Sequence, residues 1–375
     1  MKILYVTPGQ IPSQAANSVH VMKMAQAFAA NGQDVTLAYA STANVSKEEI
    51  YSHYNVDQTF SLCRFSLNSG PLSRFYFSLR IAIKAKTKNF NFVFSRCIPS
   101  SYFSLLFGNL SFLEIHESPN AFNKIARFMF ERIIRHKNFL GLIVISASLE
   151  KHVLEITNLS PNKVLTLHDG ADIHEDLKPE EFEYGTGYDC QIGYTGHLYK
   201  GRGIENIIYL AKELPDCFFH IIGGRTEDIY FWTEQAGHLK NIHFYGHLPH
   251  ARISRYTAAF DILLAPYQRK VSVSGNKGDT AAWMSPLKIF EYMSAGKPII
   301  CSDISVLKEV MNDQKNCLLC PPEDFLAWKE SVQLLRNDTN LSFRLGNTAK
   351  KDLIEKYTWT ARAKKILNYY INFLK

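Results

Sequence analysis

Short apolar runs alternate with stretches in which apolar residues recur every third or fourth position, over nearly all of the 375-residue chain. The runs at residues 2–7, 34–40, 92–95, 111–115, 141–145 and 163–167 read as buried strands. The stretches at 19–30, 74–88, 122–137 and 148–156 read as helices. Asn31 and Gly32 supply a stop for the first of these, because glycine adopts the left-handed conformation that ends a helix. Strands that are apolar on both faces and alternate with helices predict a parallel, doubly wound α/β sheet. The rhythm breaks at residues 172–189, which are acidic and polar and contain Pro179, Gly185 and Gly187; this reads as a linker. Strands then resume at 191–195, 217–222, 242–245, 262–265 and 299–302, with helices at 203–213, 287–294, 306–311 and 324–335. The expected architecture is two doubly wound, Rossmann-like domains facing a cleft, with ligands at the carboxyl ends of the strands. Their expected bounds are residues 1–175 and 190–356, joined by a linker at 176–189.

Composition narrows this picture. Hydrophobic residues make up 46% and charged residues 21%, the balance of a folded globular chain. The formal charge of +7 favours anionic partners such as nucleotides, phospholipid surfaces or phosphorylated acceptors. Nucleic acid is not expected, because the basic residues fall on separate helices and no nucleic-acid module is present. Seven scattered cysteines point to a reducing compartment rather than a disulfide framework. Cys317 and Cys320 bracket two leucines and read as buried strand positions, not as a zinc pair. Residues 1–7 lack the length and small-residue exit of a signal peptide, and no stretch reaches the roughly 18 apolar residues of a membrane span. The expected location is cytoplasmic, soluble or peripheral at the inner face of the membrane.

The segment with the clearest chemistry is residues 284–300, MSPLKIFEYMSAGKPII. Ser285 reads as the N-cap of a helix and Pro286 as its first residue. The amides of Leu287 and Lys288 would then lie in the first turn, where free N–H groups and the positive dipole end attract phosphate. Lys288 adds a charge at the same place, and Glu291, one turn on, can accept hydrogen bonds from the vicinal hydroxyls of a ribose. Helix physics alone also allows a capped amphipathic helix with a Lys288–Glu291 surface pair.

This segment resembles the donor-binding signature of the family-four retaining glycosyltransferases with the GT-B fold, in their SPLKxFEYM-type branch. Residues 192–203 (IGYTGHLYKGRG), 219–224 (FHIIGG), 244–248 (FYGHL) and 261–266 (DILLAP) resemble other donor-domain segments of that family. Residues 113–116, 142–146 and 164–172 resemble segments of its first domain, so the resemblance covers almost the whole chain. It implies a hexosyltransferase that moves a sugar from a UDP- or GDP-sugar to a saccharide or lipid-linked acceptor, and a basic helix at residues 71–90 that could meet a membrane tilts this toward the making of bacterial surface polysaccharide. It implies retention of configuration and no metal or other cofactor, and the sequence offers no metal-ligand cluster. It also implies that residues 357–375, with Trp359, form a helix that crosses back to the first domain.

Roles carry over residue by residue. His197 and Arg202, with Lys200 nearby, match the basic residues that neutralise the departing diphosphate. Glu291 matches the second glutamate of the E-x7-E motif and should bind ribose. The first glutamate is replaced by Trp283, and Asp279 in the loop 272–282 is the candidate substitute. His116 matches a histidine near the transferred sugar. Gly9, Gln10 and residues 13–20, including His20, match the region facing donor phosphate and acceptor. Gly223 permits close approach at a strand end, and Gly246, His247 and Leu248 shape the base pocket. Ser285, Pro286, Leu287 and Lys288 complete the donor site. Two other readings share the donor site: a nucleotide-sugar epimerase or sugar-phosphate synthase on the same fold, and a catalytically degenerate binding protein, which Trp283 makes conceivable.

Residues 71–90 contain five basic residues and no acidic one. On a helical wheel Arg74, Arg80, Lys84 and Lys88 share an arc with Phe77 and Ile81, while Leu72, Phe75, Leu79 and Ile83 lie opposite. The second arc is expected to pack on the domain and the first to meet anionic headgroups, with Phe77 and Ile81 dipping in. Residues 124–137 are basic as well.

Overall fold

The computed structural model describes all residues except Ala43 and residues 67–70, 175–176 and 273–278, and omits the side chains of Pro71, His250 and Ala251. Parts of the linker and of the loop 272–282 therefore lie outside the described residues. The chain forms two compact units. The first comprises Met1–Asp169 with Trp359–Lys375, and the second comprises Gly170–Thr358.

In the first unit, the strands are β1 (Lys2–Gln10), β2 (Asp34–Ala40), β3 (Ser61–Phe65), β4 (Phe92–Ser95), β5 (Ser111–Ile115), β6 (Phe139–Val144) and β7 (Val164–Thr166). They form a parallel sheet in the order β3-β2-β1-β4-β5-β6-β7. The order reverses between β1 and β4. Every residue of β4, β5 and β6 is buried, which is why these strands read as unbroken apolar runs. Tyr5, Phe28, Phe94 and Phe112 meet edge-on or tilted at 5.0–6.3 Å in the core.

In the second unit, the strands are β8 (Cys190–Thr195), β9 (Cys217–Ile222), β10 (Ile242–Gly246), β11 (Ile262–Ala265), β12 (Ile299–Ser302) and β13 (Leu318–Cys320), in the parallel order β10-β9-β8-β11-β12-β13. The doubly wound α/β class read from the sequence thus holds in both units. At Gly193 the ring of Phe260 occupies the space a side chain would need: a Cβ would fall 1.9 Å from it. All seven cysteines are free, and Cys317 and Cys320 are buried as expected. Residues 170–189 group with the second unit, where Phe182 stacks on His220 and Phe260 and Tyr184 stacks on His243.

Three local expectations need correction. The helix expected at 306–311 is one 3-10 turn, Leu307–Glu309. The Asn312 amide donates to the Asn316 side chain, which turns the chain toward β13 instead. The helix Leu287–Ala295 starts one residue later than read: Pro286, with ψ 122°, is the N-cap, and it provides no side-chain cap bond. The Pro71–Thr87 helix presents the opposite face to the one expected. Phe77, Ile81 and Ala85 are buried against Leu4, Val6, Phe65 and Val93, whereas Leu72 is 82% exposed and Ile83 43% exposed. The buried stripe includes the small residues Ser78, Ala82 and Ala85, which let the helix approach the sheet closely. The long basic residues flank it, and the Arg80 guanidinium lies over the Phe65 ring.

Candidate functional site

In the second unit, glycines end three adjacent strands. Gly196, Gly223 and Gly246 follow or close β8, β9 and β10. The Gly196 amide donates to the Ile222 carbonyl at 2.8 Å, and the Gly223 amide to the Gly246 carbonyl at 2.7 Å. Gly223 has φ +112°, and a Cβ there would fall 2.3 Å from the Gly196 carbonyl oxygen. The result is a ledge of bare backbone at the carboxyl ends of the strands.

The loop after β8 is pinned rather than loose. Tyr194 donates to the His197 carbonyl, and the Trp232 indole donates to the Leu198 carbonyl. This fixes Arg202, whose guanidinium lies over the Tyr267 ring at 5.4 Å. The Lys288 ammonium comes from the first turn of the Leu287–Ala295 helix and sits 3.6 Å from the Tyr194 ring centre and 5.0 Å from that of Tyr267. That helix is anchored to β8 because the Tyr292 hydroxyl accepts the Thr195 amide at 2.7 Å.

Two cationic atoms here are buried without a hydrogen-bond partner among the described residues: Lys288 Nζ and Arg202 Nε. Burial, and then the Arg202 charge, hold the Lys288 ammonium well below the usual lysine range, against the pull of Glu291. His197 stacks on Tyr199 and is pushed down to about 4 by burial and by the charges of Arg202, Lys288 and Arg225. Arg202 depresses the protonation of both Lys288 and His197, and such a cluster of basic groups, at a helix N-terminus and over a glycine ledge, is built to receive an anion of more than one charge.

Of the residues singled out in this half of the sequence, the structure brings together His197, Arg202, Lys288 and Glu291, with Leu287 in the same first turn and Gly223 and Gly246 on the ledge. Ser285 is buried and stands one residue before the N-cap, Pro286. His247 is exposed but adds to the positive field at His197. Lys200 is exposed. Asp279 directs one carboxyl oxygen at the Val271 and Ala281 amides, so that oxygen holds its own loop together. Arg225, Tyr194 and Tyr267 were not singled out. Arg225 was legible as a cation just past the strand-ending glycines.

Gly9 and His116 belong to the first unit. Gly9 is the penultimate residue of β1, and its amide donates to the Thr7 hydroxyl. His116 follows β5 inside a buried charge network. Arg96 donates to His116 Nδ1 at 3.1 Å, so Nε2 carries the proton and donates to Glu114 at 2.6 Å. Glu114 also meets Arg362 at 3.3 Å and His20 at 3.0 Å, and His20 contacts Asp169 at 2.9 Å. Burial would raise the Glu114 pKa, but Arg362, His20 and the histidine bonds outweigh it and hold the carboxyl well below the usual range. Burial and the Arg96 charge push His116 down to about 4, so its ring is neutral at pH 7. A sugar hydroxyl reaches that ring only by exchanging for Arg96 or Glu114. His20, Glu114 and His116 have metal-ligand composition, with ligand atoms within 4.8 Å of one another. Two guanidinium groups already serve Glu114, which makes the surroundings unfavourable to a dication. Trp359 packs edge-on against His20 at 5.1 Å.

Residues 186–352 match the family model described as glycosyl transferases group 1. They lie inside the second unit, which is thus similar to that family. A glycosyltransferase of Methanocaldococcus jannaschii is 25% identical over 257 residues, 61% of this chain and 59% of that one, so less than two thirds of the relative is spanned. A glycosyltransferase structure from Rickettsia africae superposes with a TM-score of 0.73 at 15% identity, over 100% of this chain and 98% of the other. The Anabaena protein HepE in complex with UDP superposes with a TM-score of 0.72 at 13% identity, over 98% of this chain and 99% of the other. The fold is the two-Rossmann-domain GT-B architecture.

Proposed function

We propose that the chain is a retaining glycosyltransferase of the hexosyltransferase type. It moves a sugar from a UDP- or GDP-sugar to a saccharide or lipid-linked acceptor, in the synthesis of bacterial surface polysaccharide. The observation that carries this reading is the buried Lys288 ammonium with no hydrogen-bond partner among the described residues, beside Arg202 and at a helix N-terminus. A donor diphosphate supplies the missing partner. Leu287 and Lys288 amides, the Lys288 ammonium and Arg202 would hold its oxygens, and Glu291 would accept from the ribose hydroxyls. As the bond from the anomeric carbon to the diphosphate oxygen breaks, negative charge grows on that oxygen, and these fixed cations stabilise it. In a frontside displacement the acceptor oxygen bonds to the anomeric carbon on the face the diphosphate leaves, and the departing oxygen takes the acceptor's proton. No metal is required, because the cations neutralise the leaving group. The Anabaena structure holds UDP, which makes UDP-sugars the first donors to try.

Glu291→Ala is expected to weaken nucleotide binding about tenfold or more, through loss of two ribose hydrogen bonds. Nuclear magnetic resonance of the product tests the reaction, and retention of the anomeric configuration is the expected result. An inverted product contradicts the mechanism. Sugar-nucleotide binding without turnover on any acceptor would favour the binding-only reading.

His197 gives the donor site a pH dependence. It is neutral at pH 7 in the free protein, since its pKa lies near 4. A bound diphosphate favours the imidazolium, so the pKa rises on binding and the complex takes up a proton. Nucleotide affinity is then expected to increase as pH falls from the bound pKa toward 4, and His197→Asn should flatten the profile. Calorimetry in two buffers of different ionisation enthalpy reads the proton uptake directly.

Peripheral association with an anionic bilayer fits the basic Pro71–Thr87 helix, with Leu72, Tyr76 and Ile83 as its exposed apolar residues instead of Phe77 and Ile81. Among the described residues no helix is long and apolar enough to cross a membrane. Charge reversal at Lys84 and Lys88 should weaken binding to anionic liposomes about 30-fold or more, read by sedimentation, at about 1 kcal/mol lost per basic residue near the surface. Unchanged sedimentation contradicts the association.

A further inference from the structure

A cavity of about 660 Å³ opens in the first unit, at the carboxyl ends of β1, β4 and β5, where Pro8, Arg96 and Glu117 form its floor. This is the point at which the strand order reverses, β2 and β3 lying to one side of β1 and β4 to β7 to the other. In open α/β sheets ligands collect there. Its walls come from three helices. Arg74 and Phe75 stand on Pro71–Thr87, Ile98 opens Ile98–Leu106, and Ile125 lies on Lys124–Ile134.

The lining separates into two chemistries. Arg74, Arg96 and Glu117 are the charged residues of the lining; Arg96 also meets Glu114 at 3.6 Å and His116 at 3.1 Å behind the floor, so Arg74 supplies the uncommitted positive charge of the polar end. The Ile98–Leu106 helix begins beside Arg96 with no side-chain cap, so its positive dipole end lies there, while Pro99 in its first turn has no N–H to donate. The rest is apolar, with Phe75, Ile98, Phe122 and Ile125 in the wall. The apolar character continues outward on the same helices, where Leu72 is 82% and Phe128 52% exposed. A cavity for a bare sugar would need several groups to pair with ring hydroxyls. Besides the charged residues only Asn123 is polar, and its side-chain oxygen already accepts the Ala126 amide.

We propose that this cavity binds a phosphate ester bearing an apolar chain, so that the acceptor is phosphate-linked and amphiphilic: phosphate at Arg74, on the side of the cavity that Arg96 closes, and chain along Phe75, Phe122 and Ile125. The inference rests on the glycosyltransferase reading for its role as acceptor site, but the binding it asserts is independent of turnover.

Octyl phosphate, octanol and inorganic phosphate, titrated calorimetrically into the full chain, test it. Octyl phosphate should bind about tenfold or more tightly than either of the others, since each end contributes. Ile125→Asp, at a 58% exposed position where folding should be unaffected, should weaken octyl phosphate about tenfold, and Arg74→Ala should weaken it severalfold. UDP binding should persist in both variants. No octyl phosphate binding, equal affinity for inorganic phosphate, or binding that neither variant weakens would overturn the proposal. If UDP binds and octyl phosphate does not, this inference fails while the donor reading stands. If octyl phosphate binds and UDP does not, the amphiphile site stands and its assignment as an acceptor site falls with the donor reading.

Discussion

Lys288→Met is expected to raise the melting temperature of the free protein while lowering kcat/KM for sugar transfer by about 10²–10³-fold. The two effects have one cause. The Lys288 ammonium is buried, lies over the Tyr194 ring, and has no hydrogen-bond partner among the described residues. A buried, unsatisfied charged group costs about 1–3 kcal/mol or more, only part of which the aromatic faces return. Methionine has similar length, packs on aromatic rings and removes that cost. The charge returns its cost only when a diphosphate arrives, so the variant should be more stable empty and much poorer in catalysis. Circular dichroism melts and steady-state kinetics on the same preparations check both halves. A variant that melts lower and transfers normally would assign Lys288 to packing.

The second large effect is expected at Gly223. With φ +112° and a virtual Cβ 2.3 Å from the Gly196 carbonyl oxygen, Gly223→Ala meets backbone on a conformation alanine avoids. Neither atom can move without breaking the pairing of β8, β9 and β10 at their ends. The variant should lose about 2–4 kcal/mol of stability, together with nucleotide binding. Gly246→Ala makes the comparison, since its Cβ would approach nothing closer than Ile229 Cδ1 at 3.6 Å. Its φ of +73° leaves a cost of about 1–2 kcal/mol. Urea unfolding of the pair reads the difference, and equal losses would contradict the role given to the ledge.

Most strands were legible because both faces are buried, and burial on both faces writes an unbroken apolar run. The Leu287–Ala295 helix was legible because Gly296, with φ +68°, ends it where the sequence marks a stop. Its start was misread by one residue, since a serine followed by proline satisfies the usual pattern while Pro286 takes the extended N-cap conformation itself. The face of the Pro71–Thr87 helix was misread for a different reason. Apolar residues occupy both arcs, and the small residues Ser78, Ala82 and Ala85 decide which arc can approach the sheet. Of the candidate site, Lys288 and Glu291 were visible through their positions on one helix, and Arg202 through the resemblance of residues 192–203 to a donor-domain segment. The network around His116 was not. Arg362 reaches Glu114 from 248 positions away, and no local pattern records such a pairing.

Thermal unfolding with UDP, GDP and ADP, on the native protein and Lys288→Met in parallel, tests the central claim most directly. At 100 times the dissociation constant one nucleotide should stabilise the native protein by about 2.7 kcal/mol and leave the variant nearly unmoved. Equal stabilisation of both proteins, or none of either by any nucleotide, would contradict a diphosphate site built on Lys288.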